Sequence, residues 1–163
     1  MPEANAYPEG FRRVADALVA AGHGHSPRWL DVAARTAQEA ADVLGVAVGQ
    51  IAKSVVFRRR DDDSAVLVVT SGDKRVDQER VAAITGPLVR ADAEFVKQRT
   101  GFSIGGVAPL AHMQPPVTLI DRELFRFADI WAAAGHPNGV FRLTPADLLR
   151  LTGRAPVADV VVT

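Results

Sequence analysis

Three groups of residues in this 163-residue sequence have types and spacing that could do chemistry. The first is the loop Thr100-Gly-Phe-Ser-Ile-Gly-Gly-Val-Ala-Pro109, where Gly105 and Gly106 are adjacent and Pro109 follows three positions later. Consecutive glycines reach φ values closed to other residues, and no side chain shields their N–H groups. N–H groups turned the same way form a positive concavity suited to a carbonyl or anionic oxygen. Pro109 fixes φ and removes a donor, which stiffens the exit. A plain connecting turn is the alternative for the loop alone. The second is Lys53 in Ile51-Ala-Lys-Ser-Val-Val-Phe57, where strand alternation sets it on one face with Ile51, Val55 and Phe57. An ammonium among apolar side chains is costly without a partner. Lys53 therefore either snorkels to water near the strand end or serves a ligand. The third is His136, in the turn Gly135-His-Pro-Asn-Gly139. Together, loop N–H groups could hold a carbonyl oxygen while Lys53 or His136 holds the other end of a small polar ligand.

Other chemistries fit less well. His23 and His25 stand at i, i+2 in Gly22-His-Gly-His-Ser-Pro27, but zinc asks for a third and fourth ligand, and His112 and His136 are far away in sequence. No metal and no cofactor are expected. The absence of cysteine excludes disulfides, thiolate metal sites and a Cys nucleophile. Neither Ser54 nor Ser103 lies in a Gly-x-Ser-x-Gly elbow, and no Gly-Lys-Ser/Thr follows Gly105-Gly106 to make a phosphate loop.

The elements that must position these residues alternate between helix and strand. Phe11, Val14, Leu18 and Ala21 recur at helical spacing and predict an amphipathic helix over 11–21, broken by the loop 22–27. Thr36-Ala-Gln-Glu39 has a capping-box pattern and opens a second helix that ends at Gly45. Strands are predicted at 51–57, at 65–70, where an apolar run implies cover on both faces, and at 88–90 and 117–120. The charged run Arg58-Arg-Arg-Asp-Asp-Asp63 reads as a solvated hairpin turn, and 71–77 as a loop. Helices are predicted at 77–85, with Val81 and Ile84 inward, and at 92–99, with Asp92 as N-cap and Gly101 at the far end. A helical turn at 121–124, a hairpin of 130–134 with 140–142, and a helix capped by Thr144-Pro145 follow. A last strand is predicted over 157–162. Strands mixed with helices and hairpins give an α+β class, a single domain over 1–163 with a mixed, partly barrel-like sheet flanked by helices.

Composition narrows the partners. Lys plus Arg equals Asp plus Glu at 19 each, a formal net charge of zero. Proteins that grip long nucleic-acid backbones are usually basic, because neutralised phosphates supply the affinity. Duplex DNA is therefore not an expected partner, whereas a short single-stranded end is compatible. The first residues lack a basic patch followed by an apolar run, and no apolar stretch is long enough to span a bilayer, so the expectation is a cytoplasmic protein without a membrane partner.

The segments Ile51-Ala-Lys-Ser-Val-Val-Phe57, Ser71-Gly-Asp-Lys-Arg-Val-Asp77 and Thr100-Gly-Phe-Ser-Ile-Gly-Gly-Val-Ala-Pro-Leu-Ala-His112 resemble, in order and spacing, the YbaK / prolyl-tRNA-synthetase-associated family of aminoacyl-tRNA editing domains. The likeness runs from about Thr36 onward and includes Trp131-Ala-Ala-Ala-Gly-His-Pro-Asn-Gly-Val-Phe141. The resemblance implies an aminoacyl-tRNA deacylase in which Lys53 is the characteristic pocket residue and the Gly105–Pro109 loop presents backbone N–H groups to the aminoacyl ester. It implies no protein nucleophile: water attacks the ester carbonyl, helped by the free hydroxyl of the terminal ribose. On that footing Lys53, Gly105 and Gly106 assist catalysis, while Ser54, Val107, Ala108, Pro109 and His136 line the substrate. The implied partners are the tRNA acceptor end and prolyl-tRNA synthetase. Alanine-specific members carry Lys-Asn in the strand and cysteine-specific ones usually Lys-Thr. Here the pair is Lys53-Ser54, which leaves small or hydroxylated amino acids as the expected class. A non-catalytic module of the same fold, binding a small molecule, a tRNA end or a synthetase, is the alternative, and a metal-dependent hydrolase using His23 and His25 is a further rival.

Overall fold

A computed structural model describes residues 6–163, so part of the N-terminal segment read for a targeting signal lies outside the described residues. The order of elements is α1 (Glu9–Ala20), β1 (Arg28–Trp29), α2 (Ala37–Leu44), β2 (Ile51–Arg59), β3 (Ala65–Ser71), α3 (Gln78–Thr85), β4 (Leu88–Arg90), α4 (Ala93–Thr100), β5 (Val117–Asp121), β6 (Ile130–Ala133), β7 (Gly139–Leu143), α5 (Pro145–Leu151) and β8 (Val157–Ala158). All eight strands join one mixed sheet in the order β1-β7-β6-β2-β3-β5-β8, with β4 also paired to β2. The path is open, since β1 and β8 do not pair with each other. An α+β domain with a mixed sheet is thus what the chain forms.

Strand β3 lies inside the sheet between β2 and β5, and its seven residues are all buried. Its alternation serves two cores. Leu67 and Val69 join Phe102, Ile120, Phe141 and Leu148 on one face, while Val66 and Val68 join Val81, Leu119 and Val160 on the other. Burying each such side chain is worth about 1.5–3 kcal/mol, so a strand with the unbroken apolar run Ala65–Val69 needs cover on both sides. The β2–β3 turn is closed by Arg58 with Asp63 at 2.8 Å and by Arg59 with Asp62. Asp63 takes the left-handed φ of 60° that short polar side chains tolerate.

Helix ends follow the capping residues. Thr36, Asp77, Asp92 and Thr144 each accept a backbone N–H through the side chain, and Gly45 and Gly101 close α2 and α4 in the left-handed region. Two expectations need correction. Ile84 was expected inward but is 53% exposed. The buried stripe of α3 runs through Val81 and Thr85, which turns Ile84 outward. The last strand is also shorter than 157–162. Val157 and Ala158 pair with β5, and the chain then changes partner, so that Val161 bridges Val76. The change coincides with the end of β5 at Asp121, whose side chain caps the following 3-10 turn Arg122–Arg126 through the Glu123 N–H. Strand β1, only two residues long, has no periodicity to read.

Candidate active site

The site forms where the sheet leaves β2 uncovered. One edge of β2 pairs with β3 over residues 52–58. The other edge pairs with β6 at Ile51 and Ala52, and with β4 at residues 57–59. Residues 53–56 therefore have no neighbouring strand on that edge, and alternate backbone groups there face open space. A cavity of about 500 Å³ lies against this gap, within the range typical of small-ligand sites.

Lys53 and Ser54 both line the cavity. Lys53 is half-buried, and among the described residues no carboxylate lies within ion-pair distance of its ammonium. The Ser54 hydroxyl is shielded from solvent and has no hydrogen-bond partner. The two are consecutive on β2 and project to opposite faces, so the unpaired ammonium and the orphaned hydroxyl are separate costs to the fold.

The first turn of α2 contributes Thr36, Ala37 and Gln38 to the wall. Thr36 Oγ1 accepts from the Glu39 N–H at 3.1 Å, which leaves the Ala37 and Gln38 N–H groups at the positive end of the helix. Arg35, exposed just before the cap, stands over Gly105: a Cβ built on Gly105 would lie 3.7 Å from Arg35 Cα. The remaining wall is apolar, with Ile51, Ala132, Trp131 and Val140 among it. The wall contains no acidic side chain and no imidazole.

The glycine loop is held from several sides. Gly105 takes φ 92°, a conformation that side chains rarely adopt. The Gly106 N–H donates to the Ser103 carbonyl at 3.0 Å, and a Cβ on Gly106 would come within 2.7 Å of the His136 backbone. His112 Nε2 lies 2.7 Å from the Ala108 carbonyl, and burial pushes its pKa below the ordinary histidine value, with the charge of Arg13 adding to the effect. Arg13 of α1 donates from Nε to the Ala111 carbonyl at 2.8 Å and from Nη2 to the Thr100 carbonyl at 3.3 Å, while its guanidinium covers the buried Phe102 ring at 4.3 Å. One arginine thus ties both ends of the loop to the first helix.

Of the residues singled out in the sequence, Lys53, Ser54, Gly105 and Val107 meet in the cavity. The others stand elsewhere. Gly106 packs the loop on the His136 turn, Ala108 is buried with its carbonyl held by His112, and Pro109 lines a shallow depression with Leu110 and His112. His136 lines an adjoining cavity of about 350 Å³ that shares Arg35 with the first. Its Nδ1 accepts the Asn138 N–H at 3.0 Å, its ring packs on Trp29, and burial first and the Arg35 charge second lower its pKa. His23 and His25 lie on a different surface, near α1 and Pro27. Among the described residues no group of three or more His, Asp or Glu is arranged to hold a metal ion.

Sequence reading missed the roles of Arg13, Arg35, His112 and the first turn of α2. The cap at Thr36 was legible, but its position against β2 is a product of topology.

Comparison with known proteins identifies the family. The family model for an aminoacyl-tRNA editing domain matches residues 31–151. The Bacillus subtilis (strain 168) protein YwhH is 33% identical over 119 residues, 72% of this chain and 75% of that one. Proline--tRNA ligase of Thermosipho africanus (strain TCF52B) is 33% identical over 78 residues, which are 47% of this chain but only 14% of the ligase. A crystal structure described as a candidate trans-editing enzyme for prolyl tRNA synthetase superposes with a TM-score of 0.88 at 41% identity, covering 96% of this chain and 99% of that one.

Proposed function

The chain belongs to the aminoacyl-tRNA editing domain family, and from that premise we propose that it is a deacylase of mischarged tRNA, acting on a small or hydroxylated amino acid carried by tRNA for proline or a related tRNA. The observation that carries this reading is the cavity itself. It joins the unpaired Lys53, Ser54 and the glycine loop, and its wall holds neither carboxylate nor imidazole.

Such a wall supports hydrolysis without a protein nucleophile or general base. An aminoacyl ester is already activated, so a positioned water and stabilisation of the developing oxyanion supply what the reaction needs. The N–H groups of Gly105 and Val107 make no hydrogen bond within the described residues, and both residues line the cavity. They are the donors we assign to the ester oxygen; the Gly106 N–H is committed to Ser103. Lys53 anchors the ribose end of the ester, and its free hydroxyl helps the water attack. The apolar wall with two cations and no acid disfavours a cationic amino-acid side chain. The likeness to part of a proline--tRNA ligase supports the acceptor end of tRNA as partner, with the synthetase as a further one.

The test is deacylation of tRNA for proline charged with Ala, Ser, Thr or Cys, beside cognate prolyl-tRNA, with chelator present. Hydrolysis of one or two mischarged species well above the spontaneous rate is the expected result. No turnover across the panel overturns the deacylase reading and leaves a binding module of the same fold.

A further inference from the structure

The cavity beside His136 is not needed to hold an aminoacyl ester, yet it is built of charge. Arg35 and Lys97 line it, and neither has a carboxylate within ion-pair distance among the described residues. Lys97 makes only a long contact, 3.4 Å, to the Gly101 carbonyl. The one acidic residue of the wall, Glu9, is engaged by Arg13, whose Nη1 donates to both of its oxygens. The wall is thus left with two uncompensated cations. Because the Asn138 N–H occupies His136 Nδ1, the neutral ring carries its proton on Nε2 and is a donor as well. Ser103 adds a hydroxyl. Donors and positive charge without an acceptor to spare describe an anion site.

Its position says which anion. Arg35 belongs to the walls of both cavities and stands over Gly105, so the second cavity opens directly beside the ester site. A nucleotide chain whose terminal ribose carries the ester must leave the first cavity with its 5′-phosphate leading. We propose that the second cavity is a phosphate subsite, in which Arg35 and Lys97 hold the phosphodiester preceding the terminal ribose and His136 donates to it from Nε2. This inference rests on the deacylase reading for the identity of the ligand. It also accounts for a chain of zero net charge engaging a polyanion, since two local cations suffice for one phosphate.

The test compares adenosine with adenosine 5′-monophosphate, which differ by the phosphate alone, in calorimetric titrations of the wild-type protein, Lys97→Met and Arg35→Met. Both side chains are exposed, so both variants should melt as the wild type does. The expected result is that the monophosphate binds about tenfold or more tightly than adenosine, by an advantage that shrinks with added salt. In Lys97→Met that advantage falls several-fold while adenosine affinity is unchanged, and inorganic phosphate competes with the monophosphate. Equal affinity for the two ligands, binding of neither, or an undiminished gap in both variants overturns the subsite. The two readings separate cleanly. A phosphate preference in a protein that deacylates no charged tRNA keeps the subsite and removes the hydrolase; deacylation without a phosphate preference does the reverse.

Discussion

Replacing Lys53 by Ala should separate function from stability. Lys53 is half-buried, lines the cavity and meets no carboxylate among the described residues, so its removal breaks no ion pair of the folded protein. What the fold loses is a short aliphatic contact, and what it gains is relief from partly desolvating an unpaired charge. These oppose each other, and the net change should stay within about 0.5 kcal/mol, as for substitutions that leave core packing intact. For a chain of this length that is a melting shift of about 2 °C or less. The reaction loses much more. A hydrogen bond from a charged group is worth about 1.5–3 kcal/mol, and at 1.36 kcal/mol per decade its loss lowers kcat/KM by about 10- to 150-fold. The assay is single-turnover deacylation of the best species from the charged-tRNA panel, with thermal melts of both proteins and chelator in every reaction. A rate within about threefold of wild type would refute the assigned role. So would a loss of rate matched by a melting point lowered by 10 °C or so, which would make Lys53 a folding residue.

Three further outcomes follow from the same geometry. Gly106→Ala forces a Cβ to within 2.7 Å of the His136 backbone, so it should destabilise by about 1–3 kcal/mol, whereas Gly105→Ala meets only ordinary contacts and should pay mainly for its φ of 92°; similar melting points for wild type and Gly106→Ala would contradict the packing assigned to that loop. Ser54→Ala removes a buried hydroxyl without a partner and should leave stability unchanged or raise it by up to about 1 kcal/mol; a clear drop in melting temperature would show that the hydroxyl is satisfied in the folded protein. Burial lowers the folded pKa of both His112 and His136, so the stability each contributes is fully present above its unfolded value of about 6.5 and is lost as the pH falls from there through the lowered folded value. Melting points should therefore decline on acidification below about pH 6.5, less steeply in His112→Gln, and an equal slope in that variant would show that His112 does not carry the effect.

How much of this was legible in the sequence depended on the range of the signal. Capping by Thr36, Asp92 and Thr144 is local chemistry and was readable from adjacent residues, as was the two-sided cover of β3 from its unbroken apolar run. Lys53 was conspicuous because an ammonium interrupts an apolar face. The gap beside it was not, because it arises from where β6 and β4 stop along β2, a matter of register between strands distant in the chain. Gly106 shows the same limit from the other side. The sequence marks it as a glycine with an unshielded N–H, but only the fold reveals that the N–H is used by Ser103 and that the missing Cβ makes room for the His136 turn. Ile84 was misjudged by one helical position, since a short helix with a weak apolar stripe leaves its inward direction to its neighbours.

The Arg13 clamp bears on how this unit can be moved or cut. The family likeness covers residues 31–151 and begins after the first helix, so a segment trimmed to those limits looks like a portable cassette. It would leave behind the guanidinium that joins the Thr100 and Ala111 carbonyls, and with it the cover over Phe102. The sheet would lose its end strands β1 and β8, and the glycine loop would lose the Arg13 bonds at both of its ends. Grafts, fusions and truncations of this domain should therefore be bounded by the α1 helix, because part of the loop's rigidity is supplied from outside the segment that carries the family signature.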